Sequence, residues 1–83
     1  MLYNSIKESP NYPKGFTNRL NGKTQHNIHN KALLEMLRVV APGKWKKIYQ
    51  DGFDVSGLPI SIHYFQSASG KVFNVKVKQG WSN

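Results

Sequence analysis

The sequence predicts an α+β domain, one helical segment packed on a small twisted antiparallel β-meander, and three observations carry that expectation. Residues 60–66 and 71–77 alternate apolar and polar side chains on either side of Ser67-Ala68-Ser69-Gly70, the pattern of a hairpin. Leu33, Met36, Leu37 and Val40 recur at i, i+3, i+4 and i+7 ahead of Pro42-Gly43, the pattern of a short amphipathic helix with a stop signal. Residues 45–54 form a further strand-like run that ends in Asp54-Val55-Ser56-Gly57, a turn sequence.

Taken in order, residues 1–25 hold Pro10, Pro13, Gly15 and Gly22 among many Asn, Ser and Thr. They sustain neither period, so they are expected as an extended basic lead-in with at most a helical turn over residues 2–8. Phe16 and Leu20 are expected to dock it on the core, with Lys14, Arg19 and Lys23 along it facing phosphates or solvent. The helix starts at Asn27 or Asn30, both suitable N-caps, and runs to Val40. His29, four residues before Leu33, extends its apolar stripe, and His26 stands just ahead, where unpaired backbone N–H groups favour anions.

The strand from Trp45 has Asp51-Gly52 as a possible bulge, and its pairing register is left open. Pro59 can open the next strand. Pairing Gln66 with Lys71 sets Tyr64 against Phe73, Ile62 against Val75 and Ile60 against Val77, so one face is apolar throughout. Ser61, His63, Asn74, Lys76 and Lys78 then share the other face, with Phe65 and Val72 near the turn. Trp81, close to the end of the sequence, is expected to be pinned against something.

Eighty-three residues make a single domain, the lead-in followed by a helix-plus-sheet body over residues 26–83. Twelve Lys and Arg against four Asp and Glu give a net charge of +8 and a pI near 10.0, a balance that attracts polyanions. Cysteine is absent, which removes disulfides and thiolate zinc sites. Four scattered carboxylates do not supply the clustered oxygen ligands of a two-metal nuclease, so neither metal nor cofactor is expected. No apolar run approaches the roughly 20 residues of a membrane span, and Met-Leu-Tyr-Asn does not open a signal peptide. The protein is expected to act where it is made or to be a fragment of something exported by other means.

Three histidines among so few acids are the chemical feature to explain. Imidazoles from the helix side (His26, His29) and from the hairpin (His63), converging with Lys76 and Lys78, would suit metal-independent RNA cleavage. A base deprotonates the ribose 2'-hydroxyl, cations stabilise charge at phosphorus, and an acid protonates the leaving 5'-oxygen. Arg19, Lys23, Lys31 and Asn74 would extend substrate binding, and Trp81 or Ser82 would reach the site from the C-terminal end. Structural readings stand beside these: helix capping for His26 and His29, a cross-strand partner of Asn74 for His63, solvated strand lysines, and core packing for Trp45 and Trp81. Two other functions also fit, a non-catalytic basic nucleic-acid-binding module and an adaptor that docks an acidic protein.

The segment HYFQSASGKVFNVKVKQGWSN over residues 63–83 resembles the C-terminal ends of bacterial adhesin-like toxins of contact-dependent growth inhibition and related polymorphic toxin systems, a likeness that extends over residues 45–83. The resemblance implies a toxin domain released from a secreted or cell-surface protein, active in the target-cell cytoplasm and neutralised by a cognate acidic immunity protein. Helix followed by meander is similar to the fold shared by barnase, EndoU, colicin tRNases and RelE. That BECR-like likeness implies a metal-independent ribonuclease, with tRNA the expected substrate, and a monomer apart from the immunity complex. His26 or His29, His63, Lys76 and Lys78 are the positions able to fill its roles.

Overall fold

A computed structural model of the chain describes residues 6–10 and 12–82. Its elements are β1 (Ile6–Lys7), β2 (Thr17–Asn27), α1 (Lys31–Val40), β3 (Trp45–Phe53), β4 (Pro59–Ser67) and β5 (Val72–Gln79). The strands form one antiparallel sheet in the order β1-β5-β4-β3-β2. The α+β class therefore holds, with five strands in place of the expected three-stranded meander.

Both additional strands come from the lead-in. Ile6 and Lys7 pair with Phe73 and Val72, so the part of the expected helical turn that falls on these residues is strand, and residues 2–5 of it lie outside the described residues. β2 runs along the outer edge of β3 and is interrupted by a register shift between Asn18 and Lys23, with Asn21 at φ 55°. Its side chains are almost all polar, so it is held by backbone pairing and shows no alternation to read. Leu20 lies in the interruption and is 87% exposed, contrary to the docking role expected of it. The bulge lies in β2, while β3 pairs with β4 without a break across Asp51 and Gly52. Gly52 is buried where a Cβ would come within 2.2 Å of the Thr17 carbonyl oxygen and 2.6 Å of the Phe16 ring, so only glycine lets the lead-in pass so closely.

The sheet is packed on both faces. On one, Ile48, Ile60, Ile62, Tyr64 and Val72 form a buried cluster, joined by Phe16 and Val75. Tyr12 stacks on Phe16 at 5.2 Å and donates to Gln50 Oε1 at 2.7 Å, which carries the lead-in across this face. The helix covers one end of the opposite face, where Leu37, Ala41 and Trp45 are buried against Ile28, Leu33, Leu34, Phe65 and Phe73.

Asn30 is the N-cap, its side chain accepting from the Leu33 N–H at 3.1 Å, and Trp45 Nε1–H donates to the Ala41 carbonyl at 2.9 Å to tie the helix end to β3. Met36 is 53% exposed, so the buried stripe is Leu33, Leu34 and Leu37 continuing to Ala41, rotated from the one expected. His29 is exposed and precedes the helix, so it does not extend the stripe.

The β4–β5 register differs from the expected one. Ile62 faces Val77 and Ile60 faces Gln79, while nearer the turn Phe65 faces Phe73. The shift between these segments accompanies Asn74 at φ 59°, a bulge in β5. The two-residue offset at the far end preserves side-chain parity, which keeps Ile60 and Ile62 inward and His63, Lys76 and Lys78 together. At the turn end the one-residue change sends Val72 into the core, fully buried, instead of leaving it on the polar face.

Candidate functional site

The part of the helix-bearing face that the helix leaves uncovered is polar and cationic. Continuous β3–β4 pairing sets Lys47 opposite Phe65, Tyr49 opposite His63 and Asp51 opposite Ser61. On the far side of β3, β2 places His26 opposite Lys47. Three rings thus stand in a row across three strands: His26 and Tyr49 have centroids 4.7 Å apart, and Tyr49 and His63 stack at 4.1 Å. Lys47 Nζ lies 5.3 Å from the Tyr49 ring centroid. β5 adds Lys76 opposite His63 and Lys78 opposite Ser61. Lys47, His63, Phe65, Asn74, Lys76 and Lys78 line a cleft of ≈ 200 Å³. A larger depression of ≈ 270 Å³ against Gln25, Lys44, Lys46 and Gln66 has no histidine or carboxylate in its lining, whereas the smaller cleft holds His63.

Partial burial, then the charges of Lys78 and Lys47, push the His63 imidazole below its ordinary value, with Asp51 opposing them. His63 is therefore neutral at pH 7 and able to take a proton. Its Nε2 is 2.9 Å from Ser61 Oγ. His26 is exposed at the other end of the row, with Nε2 3.1 Å from Thr24 Oγ1.

Beside the row, on the next rung of the β3–β4 ladder, lies a charge fully out of solvent. Asp51 is 0% exposed, and burial alone would raise its carboxyl. The nearby Ser61 hydroxyl, hydrogen bonds from the Ser82 backbone and hydroxyl, and the Arg19 charge outweigh that and hold it below the usual carboxylate value. Ser82 donates to Asp51 Oδ1 from its N–H at 3.1 Å and from its hydroxyl at 2.9 Å. Trp81 holds this tail down: Nε1–H donates to the Gly52 carbonyl at 2.8 Å, the ring meets Phe53 edge-on, and the Arg19 guanidinium sits 3.8 Å above it.

No family model, curated protein or solved structure matches this chain.

Of the residues singled out from sequence, the fold gathers His26, His63, Asn74, Lys76 and Lys78 on one surface, but His26 arrives there from a strand and not from a helix N-terminus. His29 lies in the connection before the helix and Lys31 is the first helical residue; neither lines the cleft. Lys23 is paired with Gln50, which points to the other face with Tyr12 and Tyr64. Arg19, Trp81 and Ser82 are engaged in the strap over Asp51, and Trp81 is packed, not free to stack on a base. Sequence reasoning missed Lys47, Tyr49, Ser61 as a partner of His63, and Asp51. The signal was the loop after β3: placing Phe53 opposite Pro59 across it sets Tyr49 against His63 by simple counting. Among the described residues, no three His, Asp or Glu side chains gather as a possible metal site.

Proposed function

We propose that the chain is a toxin domain that cleaves RNA, with tRNA the expected substrate, by metal-independent attack of the ribose 2'-hydroxyl on the adjacent phosphate. The observation that carries this reading is the row His26–Tyr49–His63 beside a cleft ringed by Lys47, Lys76 and Lys78. His63 is the general base, because its surroundings favour the neutral form that accepts the 2'-hydroxyl proton. Lys76 and Lys78, joined by Lys47, stabilise charge growing on the phosphoryl oxygens. His26, on the far side of Tyr49 and outside the cleft lining, is the acid that protonates the leaving 5'-oxygen. The products are a 2',3'-cyclic phosphate and a 5'-hydroxyl. One antiparallel sheet partly covered by a helix is compatible with a BECR-like ribonuclease fold. The resemblance of residues 63–83 to contact-dependent growth inhibition toxins adds a cognate acidic immunity protein that covers the basic cleft, and action in a target-cell cytoplasm after release from a larger surface protein.

The test is incubation of the purified chain with total RNA in the presence of EDTA. Discrete fragments with 2',3'-cyclic phosphate ends are expected, and His63→Ala should cut at least 100-fold more slowly, the lower end of what acid–base catalysis contributes, with an unchanged circular dichroism spectrum. Cleavage by that variant at the parent rate refutes the assignment. Salt-sensitive RNA binding without any product would instead make the chain a binding module.

A further inference from the structure

We infer that a second cationic groove, built on Arg38, Lys44 and Lys46 around the start of β3, binds the phosphodiester backbone of single-stranded RNA outside the cleft. The inference rests on the reading of the chain as an RNA-cleaving domain for its purpose, while binding in the groove can be measured without cleavage. Two depressions of ≈ 270 and ≈ 240 Å³ have Lys44 and Lys46 in common. Side chains alternate along β3, so Lys46 shares a face with the core residue Ile48, opposite the face on which Lys47 lines the cleft. The Ala68 N–H donates to the Lys44 carbonyl at 2.9 Å, which ties the β4–β5 turn to one side of the groove. Leu34 and Arg38 of the helix, with Ile28, form the wall on the other side.

These three cations have no carboxylate to answer them among the described residues. Glu8 pairs with Lys71, Asp51 meets Arg19, the Asp54 carboxylate caps its own turn, and Glu35 pairs with none of the three. Neutral acceptors hold two of them instead: Arg38 Nε donates to the Gly43 carbonyl at 3.0 Å and Lys46 Nζ to Asn27 Oδ1. Each of these bonds leaves further N–H donors and the whole positive charge for an anion. Like charges gathered without a counter-charge repel one another, and a phosphate seated among them relieves that. The rest of the lining favours RNA over an acidic polypeptide. Gln25, Gln66 and Asn27 bring amides, which both donate and accept and so match base edges and 2'-hydroxyls, whereas carboxylates only accept. Ile28 and Leu34 add half-buried apolar surface for the flat face of a base. The β2–β3 ladder joins groove to cleft, because His26 pairs with Lys47 and the next pair is Asn27 with Lys46. A strand leaving the cleft past His26 therefore meets the groove one rung on.

The test is fluorescence anisotropy of a labelled single-stranded RNA bound to His63→Ala, which leaves the strand uncut, with and without Lys44→Gln and Lys46→Gln together. Loss of both phosphate contacts should lower the slope of log affinity against log salt by about 1.4, or 0.7 for each, and weaken binding on the order of tenfold at about 0.15 M salt. Lys44 is exposed, so Lys44→Glu answers the question if the double variant does not fold. With His63 present, the double variant should cut a dinucleoside phosphate, which fills the cleft alone, at the parent rate. On long RNA its KM should rise on the order of tenfold with kcat retained, the same two contacts being lost. Unchanged RNA affinity and salt slope in the folded variants overturn the groove. So does RNA affinity that is kept while binding of polyglutamate is lost, which makes an acidic protein the occupant. Weakened RNA binding in a chain that cuts no RNA upholds the groove and overturns the ribonuclease reading, and normal cleavage with an unmoved KM does the reverse.

Discussion

The buried carboxylate allows a prediction about the C-terminal strap that needs no knowledge of substrate. Ser82 is exposed, and its hydroxyl lies 2.9 and 3.1 Å from the two oxygens of a fully buried Asp51. A hydrogen bond to a charged group contributes roughly 1.5–3 kcal/mol, and leaving a buried acceptor short of a donor brings the loss toward the full value. Ser82→Ala keeps the backbone N–H on Oδ1, and water can approach at the exposed end, so about 2 kcal/mol is expected. In a domain of this size that corresponds to a fall in Tm of about 8–16 °C.

The pH dependence follows from the direction of the Asp51 shift. Its folded pKa lies below its unfolded value. Its contribution is therefore complete above the unfolded value and is lost as pH falls through the folded one. The Tm difference between parent and Ser82→Ala should be full at pH 7 and should close in acid below the ordinary carboxylate range. Thermal melts of both proteins at pH 7 and in acid provide the assay. A Tm at pH 7 within about 2 °C of the parent, a small fraction of the expected shift, or a gap that persists in acid, would show that Ser82 does not stabilise the charged carboxylate.

Three further outcomes follow from the site and the sheet. Lys47→Gln and Lys78→Gln each remove a charge that holds His63 down, so the acidic limb of kcat/KM and the NMR titration of His63 should both move to higher pH; an unmoved titration would place those charges elsewhere. Lys76→Ala should reduce the slope of log affinity against log salt for single-stranded RNA by about 0.7, the value of one phosphate contact, and an unchanged slope would remove Lys76 from the RNA path. Asn74 at φ 59° should tolerate Gly, whereas Asn74→Val should lose roughly 1–3 kcal/mol in urea unfolding because a β-branched residue resists that conformation; equal stability would mean that the bulge moves elsewhere.

How much of this was readable from sequence depends on what held each element. The helix and the β4–β5 hairpin announce themselves because burial selects their side chains: Leu37, Ile60, Ile62 and Tyr64 are all within 2% of complete burial. The turn at Asp54 was equally legible, since its carboxylate caps the Ser56 and Leu58 N–H groups at 2.9 Å each. β2 was not, because an edge strand of polar residues is selected by backbone pairing, which leaves no periodic trace. Its invisibility is what misplaced His26, since a residue thought to precede a helix was in fact in a ladder with Lys47. The Asn74 bulge was hidden for a related reason: Asn-Val-Lys-Val reads as regular alternation, and nothing in it marks the extra residue.

The convergence of His26 with His63 was expected from a helix placed across a sheet, and it arises instead from the sheet alone, with Tyr49 between them. A strand row fixes ring positions through continuous backbone hydrogen bonds, which makes it a more precise platform than a loop would be. The arrangement has an electrostatic consequence. Partial burial and the charges of Lys78 and Lys47 disfavour the protonated form of His63. A counter-charge accessible to solvent would be screened and would compete with phosphate for the lysines. Asp51 avoids both effects by being fully buried on the next rung of the β3–β4 ladder, from where its charge favours protonated His63. One of only four acidic residues in a chain of net charge +8 thus favours the protonated His63 imidazole from a position closed to solvent.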